Sequence, residues 1–380
     1  MSSSCLIIAG EKSGEEHCLS FLPSLRQRTP NTQYFGVGGD EMAQLDVDLI
    51  YHLQEFSAWG YSGVIAQLPF YLKAMNKIEA EVINRDCKVA ILIDFQTFNL
   101  KLARRLAKHG VKILYYVAPQ AWAWKSYRVA ILAKTVHTLF TIIPFEKEWF
   151  NSRGVPNVES IDHPIWTRYC NHPDYLASIK RERTHLQLTS HANLLLLPGS
   201  RNFEVKELLP EFLTTARKLK RNFNLTLSLV KSPNVAAKHY LPAMKEVDHI
   251  YQSEQLSSAL GSSDLALAAS GTVTLTAALF QVPTVVCYQT SLLNQWIYET
   301  FVDYNGYISL ANIVLCQQLF PELVAERATS YNMVSALTSW MSQESRWREI
   351  QRELKRIPQQ IKGELQEVEQ YLAKEIKESR

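Results

Sequence analysis

Two stretches of the chain end an apolar run in small residues, hydroxyls and a fixed charge, the combination that holds an anion. In the first, Leu194-Leu195-Leu196-Leu197 stops at Pro198-Gly199-Ser200-Arg201, and apolar residues resume at Val205, Leu208, Leu209, Phe212, Leu213, Ala216 and Leu219. Four leucines suit a buried parallel strand and the later spacing is helical, so the stretch reads strand, tight turn, helix. Gly199 lets the backbone approach a ligand, the first helical amides have no partner within the helix, and Arg201 sets a guanidinium beside them. Glu204, Glu207 and Glu211 favour the same helix start through the macrodipole, so a βα turn without ligand explains the local pattern equally well. In the second stretch, residues 264–269 form an apolar run and Ser270-Gly271-Thr272 opens a helix through Leu275, Ala278 and Leu279. Ligands of open α/β sheets sit outside the carboxyl ends of the strands, so two such turns together point to one shared diphosphate. Neither fits G-x-x-x-x-G-K-[ST], which disfavours a P-loop nucleotidase.

Other residues invite chemistry singly. Residues 89–93 read as a buried strand ending in Asp94, ahead of a basic helix with Lys101, Arg104, Arg105 and Lys108. A carboxylate there is costly to bury alone, so it either caps the next helix or is kept for reaction. Ser13 precedes Glu16 by three residues, a capping box at the end of the first strand. Between 56 and 75 the residues Phe56, Trp59, Tyr61, Val64, Ile65, Leu68, Phe70, Tyr71, Leu72 and Met75 crowd around Gly60, Gly63 and Pro69. That mixture suits a membrane-interface or acyl-chain surface, with a dry core helix as the rival. Trp122 and Trp124, beside Lys125 and Arg128, either stack on a sugar, lie near lipid or pack.

The elements that must position these residues alternate strand and helix. Residues 5–9, 89–93, 112–117 and 139–143 form strands of a first α/β unit, and 194–197, 225–230, 264–269 and 284–288 those of a second. X-Pro geometry at Asp162-His163-Pro164 marks the hinge. A polar linking helix spans 166–191, and beyond Trp347 two terminal helices carry Ile350, Leu354, Ile357, Ile361, Leu365, Val368, Leu372 and Ile376. The boundaries are therefore 1–165, 166–345 and 346–380. Phe35-Gly36-Val37-Gly38-Gly39 is a poor dinucleotide fingerprint, and G-x-S-x-G and H-E-x-x-H are absent, so a dehydrogenase, a hydrolase elbow and metal catalysis are unsupported.

At 380 residues, with 47% hydrophobic and 20% charged residues, the composition is globular with room for two domains. A formal charge of +3 is too small to suggest nucleic acid, and no nucleic-acid motif accompanies it. The six cysteines are scattered, several in apolar runs, as in a reducing cytosol. The sequence shows neither a signal-peptide pattern nor an uncharged run of roughly 18 residues, which points to the cytoplasm.

In their order and spacing, Ala9-Gly10-Glu11-Lys12-Ser13-Gly14, Gly36-Val37-Gly38-Gly39, Ile93-Asp94, Phe98-Asn99-Leu100, Trp122-Ala123-Trp124, Pro144-Phe145-Glu146-Lys147, His163-Pro164, Leu197-Pro198-Gly199-Ser200-Arg201, Ala269-Ser270-Gly271-Thr272 and Ser309-Leu310 resemble the lipid-A-disaccharide synthases across nearly the whole chain. That resemblance implies a GT-B fold, two Rossmann-like parallel-sheet domains facing a central cleft, with C-terminal helices. It implies inverting transfer of 2,3-diacylglucosamine from UDP-2,3-diacylglucosamine to the 6-hydroxyl of 2,3-diacylglucosamine 1-phosphate, with no cofactor and no metal. Asp94 matches the family's proposed base, and Arg201 would offset charge on the leaving diphosphate. Ser13, Gly199, Ser200, Ser270, Gly271, Thr272, Thr276 and Asn312 fall at donor or UDP positions. Acylated substrates imply work as a peripheral protein on the cytoplasmic face of the bacterial inner membrane, docked through 56–75. The terminal helices either return to the first domain or exchange in a homodimer.

The chain departs from the family pattern at several places. Glu15 stands where S-G-D has Asp, Gln96-Thr97-Phe98 replaces P-D-F, and Asp162 replaces the Gly of G-H-P. Thr276 takes the place of a Glu suited to a ribose diol, and Ala311 that of the Pro in S-L-P-N. These motivate two rivals to the synthase: a GT-B paralogue with another donor or acceptor, and a non-catalytic lipid-binding scaffold.

Overall fold

The computed structural model describes residues 3–57, 64–123, 126–289 and 306–379, with the side chains of all of these except 57 and 64–68. The chain divides into two units, Met1–Pro164 with Lys362–Arg380, and Ile165–Ile361. Each is built around one parallel sheet, as the alternating strand-helix pattern requires, since parallel neighbours need a crossover between them.

Unit 1 runs β1 (Ser3–Ala9), α1 (Lys12–Arg28), β2 (Thr32–Gly38), β3 (Asp48–His52), α2 (Val64–Asn84), β4 (Val89–Ile93), α3 (Gln96–Leu106), β5 (Lys112–Tyr116), α4 (Arg128–Thr135), β6 (Thr138–Thr141) and β7 (Val158–Ser160). The seven strands lie in the order β3-β2-β1-β4-β5-β6-β7. Successive side chains of a strand point to opposite faces, and here both faces are covered. Leu6 and Ile8 pack with Met75, Ile78, Leu102, Leu106 and Leu132 on one side, while Cys5, Ile7 and Ala9 pack with Phe21, Leu22 and Leu25 on the other. The short edge strands β3 and β7 lack the apolar run of the central strands, so residue pattern alone does not reveal them.

Unit 2 contains β8 (Ala192–Leu197), α5 (Asn202–Leu219), β9 (Leu225–Lys231), β10 (His249–Gln252), β11 (Leu265–Ala269), α6 (Thr272–Leu279), β12 (Thr284–Tyr288) and β13 (Glu322–Val324), with strands in the order β10-β9-β8-β11-β12-β13. The expected linking helix is instead three short helices, Pro164–Tyr169, Pro173–Lys180 and His185–Ser190. Pro173 begins the second, and Thr184 caps the third in a capping box with Gln187.

The tail also differs from the expected two helices. Glu344–Leu354 and Ile357–Gln360 belong to unit 2, and the chain rejoins unit 1 from Lys362. There α7 (Val368–Glu378) lies against α1, burying Leu372 and Ile376. The crossing is tied by the Asp162 carboxylate, which accepts the Gly363 amide at 2.8 Å, and by the Leu365 amide donating to the Ser160 carbonyl at 2.9 Å.

Candidate active site

In each sheet the strand order reverses once, between β1 and β4 in unit 1 and between β8 and β11 in unit 2. Connections leave in opposite directions at such a point, opening a crevice at the strands' carboxyl ends. Asp94 and Ser13, and the 199–201 and 270–272 turns, fall at these two places.

At the first reversal, Asp94 follows β4 and Glu11 follows β1, its hydrogen-bonded neighbour. Asp94 and Phe95 have φ of 44° and 43°, two consecutive non-glycine residues in the left-handed region. Such geometry is held by its surroundings and collects at functional sites. Burial pushes the Asp94 carboxyl up to about 6, the negative charge of Glu11 adds to the rise, and the Phe95 amide opposes it. Desolvation raises Glu11 as well. A carboxyl that ionises near neutrality suits a general base. Gly10 is needed here because a Cβ would lie 2.5 Å from the Phe95 ring. That ring meets Phe56, Phe98 and Tyr71 with centroids 5.6, 5.3 and 6.1 Å away, so the carboxylates adjoin an aromatic surface.

Glu11 is the functional candidate that residue pattern missed. Its signal is a carboxylate in the turn after β1, which gains meaning only once β1 and β4 are known to be neighbours.

Ser13 does not cap α1, contrary to expectation: the helix starts at Lys12 with Glu11 at its N-cap position, and Ser13 is an exposed residue of the first turn. Nor does Glu15 face the chemistry. It is buried, bridged by Lys12 at 2.8 Å, and accepts the Met42 amide.

Of the 56–75 group, Trp59 and Tyr61 lie outside the described residues, and for Val64, Ile65 and Leu68 only the helical backbone is described. Phe56 and Met75, expected on the surface, are core residues at 5% and 2% exposure because the sheet and α3 cover them. Phe70 and Tyr71 are half-buried, and Leu72 is exposed. Trp122 packs edge-on against Phe145 and donates its indole N–H to Glu146 at 2.9 Å. Trp124 and Lys125 lie outside the described residues.

At the second reversal, the turn after β8 bears Gly199, Ser200 and Arg201, and that after β11 bears Ser270, Gly271 and Thr272; their strands pair directly. Gly199 has φ of 114°, and a Cβ would fall 2.4 Å from Glu204 Oε2. Glu204 explains that crowding. Its Oε2 accepts the amides of Ser200 and Arg201 at 3.0 and 3.2 Å, and its Oε1 bridges the Arg201 guanidinium at 3.0 Å. The turn's amides, expected to be unpartnered, are therefore already occupied by the chain's own carboxylate. The Arg201 side chain is 67% exposed. Gly271 and Thr272 are exposed as well, while the Ser270 hydroxyl donates to the Ile308 carbonyl at 2.9 Å.

Two expected donor contacts take other roles. The Asn312 amide donates to the Phe320 carbonyl and Glu322 Oε1 and accepts from the amides of Leu319 and Phe320. Those four bonds exhaust its capacity, so it braces Glu322 and the 319–320 turn instead of meeting a donor. Thr276 is 4% exposed, with its hydroxyl turned to the Thr272 carbonyl, so it packs and presents no open hydroxyl.

Comparison with known proteins follows the same lines. A family model described as lipid-A-disaccharide synthetase matches residues 5–376. A lipid-A-disaccharide synthase of Myxococcus xanthus is 32% identical over 327 residues, 85% of this chain and 84% of that protein. Among solved structures, the UDP-GlcNAc 2-epimerase of Neisseria meningitidis bound to UDP-GlcNAc superposes with a TM-score of 0.60 at 9% identity, covering 99% of this chain and 100% of that one. MurG of Acinetobacter baumannii gives 0.58 at 13% identity, covering 99% of each. The latter two establish a shared two-domain GT-B architecture.

Proposed function

The chain belongs to the lipid-A-disaccharide synthetase family, glycosyltransferases of lipid A biosynthesis, and from that premise we propose that it transfers 2,3-diacylglucosamine from UDP-2,3-diacylglucosamine to the 6-hydroxyl of 2,3-diacylglucosamine 1-phosphate. The observation that carries this reading is the pairing of chemistries at the two strand-order reversals. Unit 1 offers desolvated carboxylates and an aromatic surface, and unit 2 offers the exposed Arg201 guanidinium and the exposed Gly271–Thr272 helix start.

In this mechanism Asp94 takes the proton from the acceptor hydroxyl. The oxygen forms a bond to the donor's anomeric carbon from the side opposite the diphosphate, inverting that centre as the bond to UDP breaks. The departing diphosphate keeps the electron pair, and the Arg201 fork and the exposed Gly271–Thr272 helix start offset its growing charge. Glu11 assists by keeping Asp94 a stronger base than a solvated aspartate. Half-buried Phe70, Tyr71 and Phe95 form the surface along which an acyl chain would lie, with Leu72 and Lys73 toward a bilayer. Among the described residues no helix is long and apolar enough to cross a membrane, so the proposed association with the cytoplasmic face of the inner membrane is peripheral.

The decisive experiment is UDP release from the acylated donor in detergent, with and without the acylated sugar 1-phosphate. Release that depends on the acceptor supports the reading. Release only with another nucleotide sugar or acceptor would replace it with a divergent transferase, and stoichiometric lipid binding without any release would replace it with a scaffold.

A further inference from the structure

The left-handed turn bearing Asp94 is braced from three elements. On β5, the Tyr116 carbonyl accepts the Asp94 amide at 2.9 Å, and the Tyr115 phenol donates to the Asp94 carbonyl at 3.2 Å. On α3, Asn99 Nδ2 donates to the carbonyls of Ile93 and Asp94 at 3.1 and 2.9 Å, and the Asn99 amide donates to the Phe95 carbonyl at 3.0 Å. On α4, the Arg128 guanidinium donates to Gln96 Oε1. Tyr115, Asn99 and Arg128 are all buried, at 0%, 0% and 2% exposure.

Two features set this apart from ordinary packing. Asn99 Oδ1 is buried without a hydrogen-bond partner, and flipping the amide would press that oxygen against two carbonyls. A retained cost of this kind calls for an explanation in what the other end of the side chain does. The second feature is Gln96, the first residue of α3, which stands where the family pattern P-D-F has proline. Proline would fix its own φ but drive the preceding residue out of helical and left-handed geometry. With Gln96, Phe95 stays left-handed and a side-chain clamp replaces the ring.

We propose that Tyr115, Asn99 and the Gln96–Arg128 pair are positioning residues for Asp94, holding its backbone left-handed and thereby fixing where its carboxylate meets the acceptor hydroxyl. The inference rests on the assignment of Asp94 as base. The charged and titratable groups set against Asp94 are Glu11 in the turn after β1, Tyr115 on β5 and, beyond the phenol, Arg128 on α4.

The test compares Gln96→Leu, Tyr115→Phe and Gln96→Glu in full-length protein, with Asp94→Asn as control, reading kcat, KM for each substrate, the acid limb of the kcat–pH profile and thermal melting. Displacement of a reacting group by about 1 Å can cost on the order of 100-fold. Gln96→Leu and Tyr115→Phe should therefore lower kcat by ~10- to 100-fold with KM nearly unchanged, and the acid limb should move toward the ordinary aspartate range as the turn relaxes into solvent. Gln96→Glu keeps an acceptor for Arg128 and should retain kcat within about threefold. Unchanged kcat and acid limb in both Gln96→Leu and Tyr115→Phe would overturn the clamp, as would a fall in kcat matched by an equal loss of folded protein. If Asp94→Asn is inactive in that case, the base assignment stands without the clamp. Undiminished turnover in Asp94→Asn would overturn the base and the clamp together.

Discussion

The turns after β1 and β4 in unit 1 occupy the same topological place as those after β8 and β11 in unit 2, yet the two pairs are built from opposite materials. Unit 2 bends through glycines, Gly199 at φ 114° and Gly271 at 153°, and partners its acidic group: Glu204 receives two amides and a guanidinium. Unit 1 bends through Asp94, Phe95 and, after β5, the β-branched Val117 at φ 69°, and leaves Asp94 desolvated beside another carboxylate. Left-handed geometry costs an L-residue with a side chain roughly 1–2 kcal/mol that glycine avoids. A backbone donor site can be made with glycine because no side chain is needed. The proposed base cannot, so unit 1 carries strain at residues whose side chains that role requires.

Removing the proposed base should give the largest effect. Asp94→Asn is expected to cut acceptor-dependent UDP release by ~100- to 10,000-fold, the usual range for a positioned proton acceptor. It should also stabilise unit 1. A carboxyl raised from the ordinary range to about 6 disfavours the folded state once pH exceeds that value, and the penalty vanishes below the unfolded value near 4. Asp94→Asn should therefore melt higher than wild type at pH 8, by about 1–3 kcal/mol, and show no such gain at pH 3.5. A lower melting temperature at pH 8 would mean the site is not strained in the sense drawn from the comparison.

In unit 2 the corresponding experiments should report on stability. Asn312→Ala orphans the amides of Leu319 and Phe320 and is expected to cost about 3 kcal/mol by chemical denaturation. UDP affinity of the protein that remains folded should change little. A specific loss of UDP binding with normal stability would return Asn312 to the donor site. Gly199→Ala meets both its positive φ and the Glu204 carboxylate, and should cost about 1–3 kcal/mol. Adding Glu204→Ala removes the clash and should recover part of that loss, which tests whether the carboxylate sets the turn's shape.

Much of this organisation was legible in residue order. The central strands declared themselves because burial on both faces leaves few polar residues, and Asp94 and the 199–201 turn stood out because each closes such a run. The edge strands β3, β7, β10 and β13 gave no comparable signal, since one side of each has no strand to pair with. Glu11 was hidden because its pairing with Asp94 depends on which strands are neighbours. The departures from the family pattern read as changes near the reaction, but two of them act elsewhere. Glu15 ties α1 to the Met42 amide, and Asp162 receives the Gly363 amide. A side chain's neighbourhood in sequence and its neighbourhood in space part company at these positions.

The return of Lys362–Arg380 to unit 1 has a consequence for biogenesis. Synthesis proceeds from the N-terminus, so residues 1–164 are made well before the segment that covers α1 and supplies Leu372, Ile376, the Glu364–Lys147 pair and the Glu375–Lys112 pair. The whole of unit 2 must be translated first, a delay on the order of ten seconds or more. During that time α1 and the core beneath it lack the apolar cover of Leu372 and Ile376. Unit 2, contiguous in sequence, can finish first, so the half of the protein proposed to bind the diphosphate is complete before the half proposed to carry the base.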